Sequence, residues 1–301
     1  MKRKTLLLTG ASGFFGSQIK KKLNERYKVL SPSSIKLNLL NRKSILKYFE
    51  NNKIDIIINS AWRINSTLDT KKRREDNYKK NIDMSKNLIF MSKKFSIKFF
   101  LNISSINVYK PQKHKLFERN LIRSKLNQAS NPEGKAKIYF INQFKNFTKK
   151  KNFYKNLLFS NIYGFNKNTK NPLLINKIFY NLYLKKNHKI FIPAKNKIII
   201  DYIYIKDAVS AVNFFLKKLI NKKFNHQFIN IGSGRGYNID EIVSLIDKKK
   251  NIKKFYFNNK NKKNLISSID LAKKYGWKPK YSLYQGIKEI NQKYINIKLK
   301  T

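Results

Sequence analysis

A glycine-rich turn near the start of the chain is the clearest chemical feature of the sequence. The apolar run Thr5–Thr9 has the length of a buried strand, and the turn Gly10-Ala-Ser-Gly-Phe-Phe-Gly16 connects it to a helical pattern over Ser17–Glu25. Such an arrangement binds phosphate, because free amides at the start of the helix face the anion. The glycines permit a tight turn, close approach to a pyrophosphate and close packing of helix on strand. We therefore expect a dinucleotide to contact the turn residues Gly10, Ser12, Gly13, Phe14, Phe15 and Gly16.

The composition of the chain excludes several kinds of chemistry. The 301 residues include no Cys, which excludes disulfides, iron–sulfur clusters, thiolate nucleophiles and Cys-ligated zinc. The His residues lie too far apart in sequence for metal-ligand spacing, so no metal site is predicted; they are His114, His188 and His226. A hydrophobic fraction of 41% supports a full core and is inconsistent with a disordered chain.

Predicted strands and helices alternate over the first half of the chain. The predicted strands are Thr5–Thr9, Lys28–Leu30, Ile54–Ile58, Phe99–Ile103 and Asn156–Phe159. The helical patterns between them cover Ser17–Glu25, Arg42–Asn51, Glu75–Lys94 and Pro132–Lys150. Strands separated by helices indicate βαβ units with right-handed crossovers, and hence a parallel sheet.

The pattern is looser beyond Gly164. The later segments are helices over Leu173–Leu184 and Asp207–Ile220 and strands over Ile198–Ile205 and Phe228–Ile231. We predict an α/β fold in which a doubly wound parallel (Rossmann) sheet binds the dinucleotide and a smaller, interleaved C-terminal region binds the substrate. The first domain covers 1–164 and 196–231, and the second covers 165–195 and 232–301.

Further motifs follow the glycine turn in a fixed order. After Thr9–Gly16 come Ile54–Ala61, Asn81, Ser104–Tyr109, Asn161–Gly164, Asp201–Asp207, Asn230–Gly234 and Gly276–Pro279. In this order the motifs resemble the NAD-dependent epimerase/dehydratase family, the extended short-chain dehydrogenase/reductases that modify nucleotide sugars. The segment Ile35–Asn41 is most similar to the GDP-fucose synthase and dTDP-rhamnose reductase branches.

The resemblance implies a nicotinamide cofactor and a Ser–Tyr–Lys site. In the family, the serine holds the substrate oxygen, a tyrosine phenolate transfers the proton that accompanies hydride transfer, and the lysine supports the phenolate and the cofactor ribose. Ser105 matches the serine and Lys137 matches the lysine. The resemblance places further cofactor contacts at Ser33, Asn38, Leu39, Ala61, Asn81 and Lys137. It places substrate contacts at Ser105, Asn161 and Lys197.

The tyrosine of the family's site is replaced in this chain. The segment reads Asn131-Pro-Glu-Gly-Lys-Ala-Lys137, so Glu133 stands at the tyrosine position, four residues before Lys137. As a structural residue, Glu133 suits the first turn of a helix that has Asn131 as its N-cap. As a chemical group, a carboxylate four residues from a lysine on one helix face is expected to have a lowered pKa, so it can act as a base but is a poor acid near neutral pH.

Three interpretations of this replacement stay open. Glu133 transfers the proton in place of the tyrosine, or Tyr109 or Tyr139 supplies the proton instead, or the site is catalytically silent. The leading prediction is a cytoplasmic NAD(P)-dependent epimerase, dehydratase or ketoreductase that acts on a nucleotide sugar. The alternative is a silent dinucleotide-binding protein with the same fold, because fold alone does not establish activity.

Three departures from the family concern the ligands. After the second strand, Ser31–Ser34 offers no acidic residue for a ribose 2′-hydroxyl, while basic residues such as Arg42 suit a 2′-phosphate, so NADP is favoured over NAD. Asn38 stands where the family often has an adenine-contacting aspartate. Ile200 replaces an arginine that contacts the substrate diphosphate, and Lys195 or Lys197 compensates as a point charge.

The chain carries a large positive charge, with a net charge of +51 from 67 Lys and Arg against 16 Asp and Glu. Such a charge is typical of proteins that bind nucleic acid or anionic membranes, and salt-sensitive binding to a polyanion is a third hypothesis. The excess of Lys, Asn, Ile, Phe and Tyr is explained by A/T-rich codons, and no nucleic-acid-binding module is recognised. We therefore predict no specific nucleic-acid partner and no membrane span. The family resemblance implies a homodimer.

Overall fold

The structure is a computed structural model that divides into two compact units. It describes residues 3–65, 69–110, 112–122, 129, 131–145, 153–166, 173–184, 189–193, 199–247, 252–257 and 264–298. The first unit comprises residues 1–110, 118–158 and 209–229, and the second comprises 111–117, 159–208 and 230–301. The units are interleaved along the chain, and the assignment of substrate binding to 165–195 and 232–301 stays a prediction.

Strands and helices alternate over most of the described chain. The strands are β1 (Thr5–Thr9), β2 (Lys28–Leu30), β3 (Ile56–Asn59), β4 (Phe99–Ser105), β5 (Phe153–Phe159), β6 (Asn161–Tyr163), β7 (Lys189–Pro193), β8 (Ile200–Tyr204), β9 (Phe228–Ile231), β10 (Gly236–Tyr237) and β11 (Lys253–Phe257). The α-helices are α1 (Phe14–Leu23), α2 (Arg42–Glu50), α3 (Lys71–Lys94), α4 (Glu118–Ile122), α5 (Pro132–Lys145), α6 (Leu174–Tyr183), α7 (Ile205–Ile220), α8 (Ile239–Ile246), α9 (Asp270–Lys274) and α10 (Leu283–Lys298). A short 3-10 helix, η1, covers Ile106–Val108.

A six-stranded sheet in the order β2-β1-β3-β4-β5-β9 confirms the predicted α/β fold. Strand β1 pairs in parallel with β2 and β3, and β3 pairs in parallel with β4. The apolar runs Leu6–Leu8 and Ile56–Ile58 are fully buried. Continuous apolar runs are expected in such strands, because helices cover both faces of a doubly wound parallel sheet.

A row of polar side chains crosses the buried sheet of the first unit, and we call it the amide ladder. The Thr9 hydroxyl donates to Asn59 Oδ1 (2.6 Å), Asn59 Nδ2 donates to Asn102 Oδ1 (3.0 Å), and Asn102 Nδ2 donates to Asn156 Oδ1 (2.9 Å). All four side chains are buried. Each amide satisfies its neighbour, so the ladder avoids the cost of unpaired polar groups and fixes the register of β1, β3, β4 and β5.

The second unit contains a three-stranded sheet in the order β10-β8-β6, in which β8 is antiparallel to β10 and parallel to β6. Asp201 in β8 is fully buried. Its carboxylate accepts hydrogen bonds from the Ser233 amide and hydroxyl and from the Gly234 and Ser267 amides. Burial raises the pKa of Asp201, and these hydrogen bonds oppose the rise. Asp201 therefore has a structural role in joining β8 to later segments of this unit.

Several element boundaries differ from the sequence prediction. Helix α3 begins at Lys71 rather than Glu75, because the Thr70 hydroxyl caps it by accepting from the Arg73 amide at 3.2 Å. Helix α1 begins at Phe14 rather than Ser17. Helix α8 was not predicted, although Asn238 and Glu241 form a capping box at its start. The predicted helix Pro132–Lys150 is described as far as Lys145, and its last residues lie outside the described chain.

The amide ladder makes Asn102 important for stability. Replacement by Ala leaves the Asn59 donor and the Asn156 acceptor unpaired in a buried site, so we expect the free energy of unfolding to fall by about 3 kcal/mol. Urea denaturation measures the loss. Asn24→Ala, at an exposed helix end, is the control and should change stability by less than about 0.5 kcal/mol. An Asn102→Ala protein as stable as the control would show that the ladder contributes little.

Candidate active site

The glycine turn between β1 and α1 has the close backbone packing that a phosphate-binding turn requires. Gly10 has a φ of +71°, and a Cβ at this position would lie 2.5 Å from the Ser60 carbonyl oxygen. A Cβ on Gly16 would collide with the Gly10 carbonyl oxygen. Side chains larger than hydrogen are therefore excluded at both positions, and α1 packs directly on the turn.

The start of α1 is suited to an anionic ligand. Gly13 is the N-cap, no side chain caps the helix, and the first turn contains no acidic residue. Amides at an uncapped helix start, together with the helix dipole, favour negative charge. Ser12 and Gly13 are exposed on the turn, whereas the Phe15 side chain is buried, so Phe15 could contact a cofactor through its backbone alone.

The segment after β3 is held in place by two asparagines. Asn59 of the amide ladder accepts a hydrogen bond from the Ala61 amide (3.3 Å). Asn81, buried in α3, accepts from the Arg63 amide (2.9 Å) and donates to the Arg63 carbonyl (3.0 Å). Asn81 therefore holds the backbone beside the predicted cofactor contact Ala61; its own contact with a cofactor stays a prediction.

The residues after β2 lie near a fixed arginine. The Arg42 guanidinium lies 4.5 Å from the ring centroid of Phe90, and its Nε donates to Asn87 Oδ1 at 3.3 Å. Asn87 in turn donates to the Leu39 carbonyl at 3.0 Å. The neighbouring Asn38 accepts from the Leu40 amide through its side chain. In the loop before them, the Ser33 hydroxyl accepts weakly from the Lys36 amide.

Ser105 ends β4 and begins the turn into η1. Its hydroxyl accepts a hydrogen bond from the Asn107 amide at 3.2 Å, and its side chain is half-buried. Tyr109, which follows η1, is buried. Ser105 is thus fixed at the carboxyl end of a central strand, where doubly wound folds bind their ligands.

Helix α5 starts directly against η1. Asn131 caps the helix as predicted, since its Oδ1 accepts from the Gly134 amide at 2.7 Å. A Cβ on Gly134 would collide with the Asn107 carbonyl oxygen and would lie 3.0 Å from Ala129 Cβ. Gly134 therefore allows the first turn of α5 to contact the segment that carries Ser105. The sequence analysis missed Gly134, although a glycine within a helical pattern is an unusual choice.

Glu133 and Lys137 form an ion pair on the first turns of α5. Lys137 Nζ donates to Glu133 Oε1 at 2.8 Å, and the side chains are 9% exposed for Lys137 and 14% for Glu133. The pair joins residues four apart, which share one helix face. Tyr139 is two residues beyond Lys137 and so points to another side of the helix. The structure thus places the ammonium beside Glu133, as the sequence spacing predicts.

Trp62 is a neighbour of this pair that the sequence analysis missed. Lys137 Nζ lies 5.5 Å from the centroid of the Trp62 ring. The indole N–H donates to the Ile103 carbonyl at 2.9 Å, and the ring makes an edge contact with Phe140. A single tryptophan after a strand gives no periodic signal, so only the fold reveals its contact with α5.

The predicted substrate residues lie in other parts of the chain. Asn161 begins β6 in the second unit, and its side chain is hydrogen-bonded to that of Tyr202. Burial raises the pKa of Tyr202, and this hydrogen bond partly opposes the rise. Lys195 and Lys197 lie outside the described residues. The substrate contacts of Asn161 and Lys197 stay predictions.

Within the part of the chain that the structure describes, no three His, Cys, Asp or Glu residues group together as metal ligands. Among the same residues, no helix combines the length and apolar character needed to cross a bilayer.

Comparison with known proteins defines the family of this fold. A doubly wound sheet with a glycine turn after its first strand is typical of proteins that bind dinucleotides. The model of the NAD dependent epimerase/dehydratase family matches residues 6–232, and the chain belongs to this family. A curated relative, the GDP-L-colitose synthase of Yersinia pseudotuberculosis, is 26% identical over 308 residues, which cover 97% of this chain and 98% of the synthase.

Solved structures share the fold from end to end. UDP-glucose 4-epimerase from Thermotoga maritima, solved with UDP-glucose, has a TM-score of 0.81 at 22% identity and covers 98% of this chain and 99% of its own. GDP-mannoheptose C4 reductase from Campylobacter jejuni, solved with NADP bound, has a TM-score of 0.81 at 18% identity with the same coverage. At these identities the likeness shows the fold alone.

The contact between Gly134 and η1 predicts that alanine at this position lowers the free energy of unfolding, which is the opposite of its usual effect in a helix. Glycine to alanine in a helix normally stabilises a protein by about 1 kcal/mol. In Gly134→Ala, the new methyl group meets the Asn107 carbonyl, so we expect a loss of about 1–3 kcal/mol in urea denaturation. Lys135→Ala, the exposed neighbour, is the control and should be close to neutral. Stabilisation by Gly134→Ala would mean that α5 does not pack against η1 as described.

Proposed function

We propose that this protein is an NAD(P)-dependent enzyme that modifies a nucleotide sugar, and that Glu133 carries the proton that tyrosine carries elsewhere in the family. The observation that supports this proposal most strongly is the ion pair of Glu133 with Lys137 at the start of α5, where Gly134 packs against Asn107, two residues after Ser105. The pair keeps a proton-accepting group where the family has one. A nicotinamide cofactor, when bound, supplies or accepts a hydride.

The cofactor site fits the residues present. The tight turn at Gly10 and the uncapped start of α1 offer backbone amides to a pyrophosphate, and a side chain at Gly10 would fill the space that the turn needs. Lys137 in α5 and the segment after β3 that ends at Ala61 are further groups proposed to hold the cofactor.

Glu133 is the group proposed to exchange a proton with the sugar. Its carboxylate would take the proton of a sugar hydroxyl while the carbon of that hydroxyl gives up its hydride to the oxidised cofactor. The Ser105 hydroxyl would hold the same sugar oxygen. An epimerase suits this chemistry well, since the proton taken in oxidation is returned in the reduction that completes the cycle.

The family and one relative support a choice of substrate class. The GDP-L-colitose synthase of Yersinia pseudotuberculosis, which aligns with this chain over nearly its full length, is named for a GDP-linked sugar. We therefore propose GDP-sugars as the first substrates to test, with UDP- and dTDP-sugars as the comparison. Both oxidised and reduced cofactors belong in the assay, because the solved relatives include an epimerase and a reductase.

Replacement of Glu133 tests the proton-transfer role. Glu133→Gln keeps the size of the side chain and an oxygen for Lys137 but cannot accept a proton. We expect kcat on the best nucleotide sugar to fall by about 100-fold or more, with the cofactor Kd nearly unchanged. Chromatography of the nucleotide-sugar products follows turnover, since an epimerase cycle regenerates the oxidised cofactor, and Glu25→Gln, which breaks an exposed ion pair with Lys22, is the control.

Two outcomes would contradict the proposal. A Glu133→Gln enzyme as fast as the wild type would show that another group, such as Tyr109, moves the proton. A wild-type protein that binds cofactor but turns over no nucleotide sugar, and that gains activity in Glu133→Tyr, would identify a silent dinucleotide-binding protein.

We further propose NADP rather than NAD as the cofactor. The turn after β2 offers no carboxylate for a 2′-hydroxyl, and Asn87 and Phe90 hold the Arg42 guanidinium beside the Asn38–Leu39 segment. We expect Arg42→Ala to weaken NADPH binding by about 10-fold and to leave NADH binding unchanged. Fluorescence titration measures both, with Lys43→Ala on the same helix as the control. Equal losses for the two cofactors would argue against recognition of a 2′-phosphate by Arg42.

A further inference from the structure

Trp62 connects the three elements that carry the proposed site. It follows Ala61 directly after β3, and its indole N–H is bonded to the Ile103 carbonyl in β4, two residues before Ser105. Its ring contacts Phe140 of α5, with the two ring centroids 5.7 Å apart. The indole is thus fixed by a hydrogen bond to one element and by packing against another.

One face of this ring has a charged neighbour. The Lys137 ammonium lies within cation–π distance of the ring, at 5.5 Å from the centroid, and donates to Glu133 at 2.8 Å. A cation near an aromatic face is attracted to it most strongly where water is largely excluded, and the Lys137 side chain is only 9% exposed. Two groups, one anionic and one aromatic, therefore restrain the same ammonium.

We infer that Trp62 is a positioning residue, whose fixed indole holds the Lys137 ammonium at Glu133 and so orients the ion pair relative to Ser105. Trp62 is half-buried, whereas Trp277 of the second unit is only 5% exposed. The aromatic ring of the family's tyrosine is missing at position 133, and the indole supplies a ring from the segment after β3 instead. The kinetic part of this inference rests on the proposed function, but the restraint on Lys137 does not.

Amine labelling followed by mass spectrometry tests the restraint without turnover. In Trp62→Leu the ammonium loses its aromatic neighbour, so we expect Lys137 to react at least about 3-fold faster than in the wild type. Trp62→Phe keeps an aromatic face and should label at a rate close to that of the wild type. Trp277→Phe, which alters the other tryptophan of the chain, should leave the rate at Lys137 unchanged.

Lys155 is an internal control for general loosening of the first unit. Its ammonium also lies near an aromatic ring, 5.7 Å from the Phe224 centroid, and donates to the Asn225 carbonyl at 3.0 Å. Labelling that rises at Lys137 alone supports the inference. An unchanged rate at Lys137, or an equal rise at Lys155, overturns it.

Kinetics supply the second readout in an active enzyme. We expect Trp62→Leu to lower kcat by about 10-fold with little change in the KM for cofactor, and Trp62→Phe to restore most of the rate. An unchanged kcat in Trp62→Leu would overturn the positioning role. If no nucleotide sugar is turned over, the proposed function fails, while the labelling result still decides whether Trp62 restrains Lys137.

Discussion

The ion pair between Glu133 and Lys137 is the interaction on which the site depends. Both side chains are largely buried, and each charge is compensated by the other, so removal of either partner would leave a charge with poor access to water. The helix turn that carries the pair lies against η1, because Gly134 lets α5 start close to Asn107. Local packing thus sets the position of the pair relative to the segment after β4.

The sheet of the first unit carries the segments from which the proposed site is built. The amide ladder fixes the register of the strands whose carboxyl ends carry the glycine turn, Ala61 and Ser105. Within the ladder, Asn59 also accepts a hydrogen bond from the Ala61 amide, and Ala61 precedes the tryptophan that contacts Lys137. A buried polar network that is fully paired provides such positional accuracy, because any shift in register would leave its amides unsatisfied.

Much of the fold could be predicted from sequence, since the apolar runs Thr5–Thr9 and Phe99–Ile103 and the glycine turn are local signals. The N-cap role of Asn131 and the pairing of Glu133 with Lys137 were likewise predictable from spacing on one helix. Contacts between distant segments were not, because no local pattern records that Trp62 meets Lys137 or that Gly134 meets Asn107. The small elements of the second unit were missed for a similar reason: strands as short as β10 have no periodicity.

The central claim is that a carboxylate performs the proton transfer that a phenol performs elsewhere in the family. The pH dependence of single-turnover hydride transfer, measured in the direction of sugar oxidation with saturating cofactor and substrate, tests it most directly. We expect the wild-type profile to contain a pH-dependent limb that the Glu133→Gln profile lacks, because only the carboxylate can exchange the proton. Profiles of the same shape in the two proteins would contradict the claim.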